Sequence, residues 1–226
     1  MNGGPRLCVI IPTLNAASDL TATLHALDPA DEVIVVDGGS SDGGPELALA
    51  CGARVLRSPP GRGVQLAAGA DEASADWLLF LHADTAPAPG WRDAVGQYVE
   101  SSAGSARAAC FQFRLDDPSL QARMLERLVA MRTVIFALPY GDQGLLIHRD
   151  LYRAVGGYRP LPLMEDVDLV SRLGRRRLAR LEVAAATSAR RWRQDGWFRR
   201  SALNLLCLML FRLGTPVPAI ARLYGR

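Results

Sequence analysis

Two carboxylates stand where their surroundings could give them chemistry. The apolar run Trp77-Leu78-Leu79-Phe80-Leu81 ends in His82-Ala83-Asp84, and Glu32-Val33-Ile34-Val35-Val36 ends in Asp37-Gly38-Gly39-Ser40-Ser41-Asp42-Gly43. A buried strand that ends in an acid offers a hard oxygen ligand at a sheet's carboxyl edge, where doubly wound sheets bind their ligands. Two such strands suggest a nucleotide and a divalent metal. Taken alone, Asp84 reads equally well as a turn former before Pro87, and Asp42, kept as a candidate nucleotide contact, reads more readily as turn chemistry. The parallel placement of Asp37 tips Asp84 towards function.

The elements that must position these groups follow an alternating pattern. Leu7-Cys8-Val9-Ile10-Ile11 is a short strand closed by Pro12, which cannot continue a central ladder. Residues 16–27 read as a helix with Ser18 or Asn15 as N-cap, 45–51 as a second ending at Gly52, 53–57 as a strand, and 64–73 as a third helix. Strands alternating with helices predict an α/β domain on a mainly parallel sheet. After Pro89 the pattern changes. Residues 91–99 read as a helix, 108–115 as an antiparallel or edge strand, 144–148 as a strand and 167–173 as a helix. Residues 119–136 predict a long amphipathic helix on which Leu120, Met124, Leu128, Met131 and Ile135 recur at helical spacing, and 195–211 a second. One domain over 1–226 is expected: a nucleotide-binding half at 1–100, an acceptor half at 101–195 and a C-terminal helical extension from 196.

Composition supports this. The chain has 226 residues, 49% hydrophobic and 22% charged, enough for a substantial core. The net charge of +3 is too small to indicate a nucleic-acid partner, and all 26 basic residues are Arg. Cys8, Cys51, Cys110 and Cys207 lie far apart without C-x-x-C spacing and read as reduced thiols of a cytosolic protein, three of them in apolar runs. Met1 to Arg6 shows no signal region, and no apolar stretch reaches membrane-spanning length.

Val9-Ile10-Ile11-Pro12-Thr13-Leu14-Asn15, Val35-Val36-Asp37-Gly38-Gly39-Ser40-Ser41-Asp42-Gly43, Leu81-His82-Ala83-Asp84-Thr85 and Met164-Glu165-Asp166-Val167-Asp168-Leu169, in that order, resemble the motifs of glycosyltransferase family 2. Gly61-Arg62-Gly63, Gln65 and the stretch from Thr187 to Trp192 are similar to small stand-alone bacterial members. The resemblance implies a GT-A fold and a metal-dependent, inverting, hexosyltransferase-like enzyme that moves a sugar from a nucleotide-sugar donor, UDP-linked, to an acceptor hydroxyl. It implies that Pro12, Thr13 and Asn15 shape the nucleotide loop, that Asp37 accepts from the uracil N3–H, and that Asp84 ligates Mg2+ or Mn2+ on the diphosphate. Asp166 would be the general base, oriented by Glu165, although an acidic first helical turn is the structural alternative for that segment. Two positions depart from the family. Ala16 stands where an acid is common, and His82 where a carboxylate usually opens the metal motif; imidazole can ligate Mn2+ or hydrogen-bond the ribose.

Arg62 and the backbone at Gly61 are expected near phosphate, with a simple turn as the alternative. Asp142 and Gln143, in a turn before a strand, are candidate acceptor contacts. Arg190, Arg191 and Trp192 could clamp the diphosphate or acceptor from a mobile loop that excludes water, with a solvated face as the alternative. The acceptor is a lipid, a glycan or a small metabolite. The apolar segment within 199–213 is read as core or homodimer packing, with peripheral contact at the inner face of a membrane as the alternative. Two rivals complete the reading: a catalytically silent nucleotide-binding or interaction module, and a sugar-nucleotide pyrophosphorylase. The latter is disfavoured because the first loop is not a Gly-rich loop carrying Lys or Arg.

Overall fold

The seven residues Leu7–Thr13 form β1, every one of them buried, because they run through the centre of the sheet. In the computed structural model the described residues are 6–27, 30–101, 106–136, 139 and 141–225, without the side chains of Ile135 and Phe136. Helix α1 (Ala17–Ala26), β2 (Glu32–Asp37), α2 (Gly44–Ala50), β3 (Arg54–Arg57), α3 (Arg62–Glu72) and β4 (Trp77–Phe80) then alternate as the pattern predicts. β1 pairs in parallel with β2 on one side and β4 on the other, and β2 with β3. Strand order therefore reverses between β1 and β4, and the crevice at their carboxyl ends is where such sheets hold ligands.

The second half is not a continuation of that pattern. β5 (Thr85–Pro87), α4 (Trp91–Ser101), β6 (Ala108–Leu115), α5 (Leu120–Phe136), β7 (Leu145–His148), α6 (Arg149–Ala154), α7 (Glu165–Leu173) and β8 (Leu178–Thr187) complete an eight-stranded sheet of order β3-β2-β1-β4-β7-β6-β8-β5. β7 runs antiparallel to β4 and β6, while β6 and β8 are parallel. The mixed, mainly parallel sheet flanked by helices is the GT-A architecture. Three helices follow: α8 (Arg190–Asp195), α9 (Trp197–Arg212) and α10 (Val217–Tyr224).

Three sequence expectations are corrected. β1 continues through Pro12, because Thr13 O accepts from Gly38 N on the β2 side whereas Ile10 O accepts from Leu81 N on the β4 side. By alternation Pro12 faces β4, whose strand has already ended, so its missing N–H interrupts nothing. β6 is antiparallel to β7, one of its two readings, and is interior rather than an edge because β8, unread in the sequence, pairs with its other side. The helix expected over 195–211 is present as α9, starting at Trp197 because Gly196, with φ 85°, ends α8 and caps α9. The apolar stripe of α5 faces outward: Leu120 is 86% exposed, and Met124, Leu128 and Met131 about half, while Ala122, Glu126, Val129 and Thr133 face in. Ile135, fifth in the stripe, lies outside the described side chains. Inward Glu126 accepts from Leu115 N at 2.9 Å and pairs with Arg114 and Arg123 at 2.8 and 2.7 Å.

Two core layers sandwich the sheet. Leu7, Val9, Ile11, Leu79 and Phe111 share one face with α1 and α4; Cys8, Ile10, Leu78, Phe80 and Ile147 share the other with α3, α6 and α7. No helix among the described residues is long and apolar enough to cross a membrane. Cys8, Cys110 and Cys207 are buried as expected, and Cys51 is exposed. Burial raises the Cys8 thiol and pushes that of Cys110 up to about 12, and the thiolate is the reactive form. Native-state iodoacetamide should therefore label Cys51 alone, and Cys51→Ser should remove the label. Modification of a second site by mass spectrometry before unfolding would contradict the packing.

Candidate active site

The loops that leave β1 and β2 are tied to each other. Asn15 adopts φ 51°, a left-handed conformation that Asn tolerates. Its backbone N donates to Ser40 Oγ at 2.9 Å, and its Oδ1 accepts from Ser41 N at 2.9 Å. Asp42 accepts from Ala17 N at 2.7 Å and Gly44 N at 3.0 Å, serving the free N–H groups where α1 and α2 begin. The bond from Ala17 holds the Asp42 carboxyl below the usual carboxylate range. Gln65, 2% exposed, donates from Nε2 to Thr13 O and Val36 O, both at 2.7 Å, and locks the two strand ends. Asp37 is 2% exposed and accepts from Gly39 N at 3.0 Å and Ser40 N at 3.1 Å. Its carboxylate thus ties down its own turn, and that of Asp42 the starts of two helices.

Two adjoining cavities open beyond these loops. The outer, of about 590 Å³, is lined by Pro12, Asn15, Asp19, Gly61, Pro160 and Arg190 among others. The inner, of about 100 Å³, is lined by Asp142, Asp166, Thr187, Trp192, Asn204 and Tyr224 among others. Arg62, His82, Asp84 and Arg191 line both and form the boundary between them.

That boundary is cross-braced from distant parts of the chain. Gly61, with φ 137°, turns the chain so that Arg62 is the first residue of α3. Arg62 Nε lies 2.7 Å from Glu165 Oε1, and its Nη1 3.2 Å from His82 Nε2. Burial disfavours the guanidinium charge, but Glu165, Asp166 and Asp84 more than offset this and raise its pKa. A Cβ on Gly63 would stand 2.2 Å from Arg159 O, so only glycine lets α3 approach the 159–161 segment. Glu165, with no exposed surface, points to Arg62, whereas Asp166 beside it faces the inner cavity. Asp166 Oδ2 accepts from Gly141 N at 2.7 Å. A Cβ on Gly141 would meet His82 Nε2 at 2.3 Å and Asp166 Oδ2 at 3.3 Å, so this glycine sets the spacing between them.

Asp84 follows β4, and its carbonyl accepts from Ser188 N at 3.0 Å. Burial raises its carboxyl pKa, while Arg191 opposes the shift. Burial also pushes Asp142 up to about 6, against the pull of Arg132 and with reinforcement from Asp166 and Asp84. Carboxyls whose charge is disfavoured this way mark candidate functional positions.

The structure therefore brings together Pro12, Asn15, Gly61, Arg62, His82, Asp84, Asp142, Asp166, Arg190, Arg191 and Trp192 of the residues expected from the sequence. Thr13 and Asp37 lie beneath the loops rather than on the cavity walls. Gln143, 1% exposed, is held away from the inner cavity by Thr133 Oγ1 at 3.0 Å and Phe111 O at 3.2 Å. Arg190 pairs with Asp19 at 2.8 Å, bracing the last helices against α1. Sequence reasoning missed the Arg62–Glu165 pair and the contributions of Asn204 and Tyr224. No local signal marks Asn204 or Tyr224, since the α9 segment reads only as an apolar helix and the α10 segment has no reading of its own.

Comparison with known proteins agrees with the architecture. The model for glycosyl transferase family 2 matches residues 8–132, over half the chain. No curated protein gives a significant match. Among solved structures, glucosyl-3-phosphoglycerate synthase from Mycobacterium tuberculosis in complex with Mn2+, uridine diphosphate and glucosyl-3-phosphoglycerate is 24% identical, with a TM-score of 0.62 over 94% of this chain and 81% of that one. The same synthase with phosphoglyceric acid gives 23%, 0.64, 94% and 81%, and with Mg2+ and uridine diphosphate 24%, 0.61, 94% and 81%. These likenesses bear on the fold; the sequence match identifies the chain as a member of glycosyl transferase family 2, and it is a glycosyltransferase.

Proposed function

We propose that the donor is a UDP-sugar, its nucleotide in the outer cavity, its diphosphate at the Arg62–Asp84–Arg191 boundary and its sugar facing Asp166. The observation that carries this is the boundary itself, where guanidinium groups and one carboxylate stand between a large cavity and a small one. Arg62 and Arg191 present the planar donors that suit phosphate oxygens. The solved structures of similar fold hold uridine diphosphate with Mn2+ or Mg2+, which supports the nucleotide and the cation. Residues 1–100 serve as donor platform, 101–195 as acceptor side and the last helices as a wall of the inner cavity, within one domain.

The donor set fits a divalent cation in one way. Among the described residues no group of three His, Cys, Asp or Glu is placed to hold a metal. Asp84, in surroundings that disfavour its charge, gains from a cation whose remaining ligands come from diphosphate and water. His82 Nε2 faces the Arg62 guanidinium, so His82 is assigned to that contact and Asp84 is the protein ligand. When bound, the cation supplies charge neutralisation on the departing diphosphate.

The chain's own residues do the rest. Gly141 N holds the Asp166 carboxylate towards the inner cavity. The acceptor oxygen forms its bond to the anomeric carbon as the bond from that carbon to the β-phosphate oxygen breaks. Its proton passes to Asp166, and the electron pair leaves with UDP. One displacement inverts the anomeric centre. Arg62 and Arg191 offset charge on the leaving diphosphate.

Thermal melting with UDP, with and without Mn2+, tests the donor site. Ligand at about a hundred times Kd should stabilise the wild type by about 2.7 kcal/mol. Asp84→Ala should lose the Mn2+-dependent increment and retain that of UDP alone. An undiminished Mn2+ increment in Asp84→Ala would remove Asp84 from the role.

A further inference from the structure

Three residues that line the inner cavity each carry a buried polar atom without a hydrogen-bond partner: Asp142 Oδ1, Trp192 Nε1 and Asn204 Oδ1. Trp192 is 9% exposed, its ring packed edge-on against Phe113 at 6.4 Å between centroids. An unmatched buried polar atom costs about 1–3 kcal/mol, so three around one cavity mark a place that a ligand completes.

Their chemistry restricts the ligand. A carboxylate oxygen and an amide oxygen accept, and an indole N–H donates. A partner that satisfies all three must both donate and accept, as hydroxyl groups do. An ionised phosphate or carboxylate accepts only, and could serve Trp192 alone.

Charge gives the same answer independently. Asp142 and Asp166 both line this cavity. Its cations are engaged elsewhere: Arg62, paired with Glu165 at 2.7 Å, stands at the boundary assigned to the diphosphate, and Arg200 is held by Asp195 at 3.1 Å with its guanidinium 4.5 Å from the Tyr224 ring centre. Arg191 stands at the boundary shared with the outer cavity, where the diphosphate is proposed to lie. An anionic acceptor would therefore meet two carboxyl groups with no uncommitted guanidinium further in, a repulsion that selects against it.

We infer that the acceptor is a small uncharged polyhydroxylated molecule held by Asp142, Trp192 and Asn204, so that the C-terminal helices determine acceptor specificity. This rests on the donor placement above. The hydroxyl to be glycosylated sits towards Asp166, while the others satisfy the three unmatched atoms.

The test titrates the full chain, with UDP and Mn2+ present, with two matched pairs: methyl α-glucoside against glucose 6-phosphate, and glycerol against 3-phosphoglycerate. Binding is read by ligand-observed NMR, and transfer from UDP-glucose by UDP release. The uncharged member of each pair should bind about tenfold more tightly, the equivalent of one well-placed buried hydrogen bond. Trp192→Phe, which keeps a ring and removes the N–H, and Asn204→Ala should each weaken the uncharged probe about tenfold. In turnover that loss should appear in the acceptor KM, with UDP affinity unchanged. Equal or tighter binding of the phosphorylated members, no binding of either uncharged probe, or unaltered affinity in both variants would each overturn the inference. The UDP titration is read separately: failure of the wild type to bind UDP would refute the donor placement, whereas UDP binding with a preference for anionic probes would refute the acceptor class alone.

Discussion

Asp166→Asn is expected to lower kcat by about 10²- to 10⁴-fold, the range for loss of a general base, with UDP affinity and melting temperature close to wild type. The substitution is nearly isosteric, and the amide oxygen can still accept from Gly141 N, which bonds Asp166 Oδ2 at 2.7 Å. The loop that spaces His82 from this position is therefore retained. What is lost is a site for the acceptor proton, because an amide does not take one at neutral pH. The proposed donor contacts at Arg62, Asp84 and Arg191 are untouched, so the defect is expected in turnover rather than in binding. Asp142→Asn is the companion variant, since Asp142 is the other carboxyl of the inner cavity. It should raise the acceptor KM and spare kcat, given its assignment to acceptor contact. Wild-type kcat in Asp166→Asn, with a large kcat loss in Asp142→Asn, would transfer the base to Asp142.

The residues that make this experiment designable differ in how visible they are in the chain. Asp84 is legible from the apolar strand that it follows and Asp166 from its motif's resemblance to the family, since an acidic helix start alone reads as a structural feature. What their neighbours do is not legible. Asp37 ends a strand as Asp84 does, yet its carboxylate folds back onto Gly39 N and Ser40 N, since short acidic side chains compete for local backbone donors. Gln143 lies in the expected turn but is drawn to Thr133 and Phe111. β8 escapes notice because Val183-Ala184-Ala185-Ala186 has little intrinsic strand preference and is held by pairing with β6 and β5. Periodicity correctly grouped Leu120, Met124, Leu128 and Met131 on one face of α5. It carries no information on whether that face is covered, and here it is exposed. The inner cavity's Asn204 and Tyr224 reach the site only through the packing of α9 and α10 over Leu163, Met164 and Val167, a tertiary fact with no local signature.

The pair that joins the two halves of the site, Arg62 and Glu165, should dominate stability. Glu165 has no exposed surface and its Oε1 lies 2.7 Å from Arg62 Nε, whose side chain is 22% exposed. Removing one partner of a buried pair typically costs about 3–5 kcal/mol, because a charge is left uncompensated. Arg62 borders the cavities and can be partly solvated, which places Glu165→Gln at about 3 kcal/mol on that scale. For a chain of this size that corresponds to a melting temperature lower by about 6–12 °C. UDP should restore more of that loss in the variant than it adds to the wild type, since a diphosphate at the boundary replaces the missing negative charge beside Arg62. Glu165→Gln combined with Arg62→Met should melt higher than Glu165→Gln alone, because buried pairs exchanged for apolar groups are often neutral in stability. That double variant should nevertheless lose UDP affinity, which separates the structural part of Arg62 from its part in the donor site. A single variant melting within about 2 °C of wild type, an effect below 1 kcal/mol on the same scale, would show that α3 and α7 are held together by their apolar contacts and not by this pair.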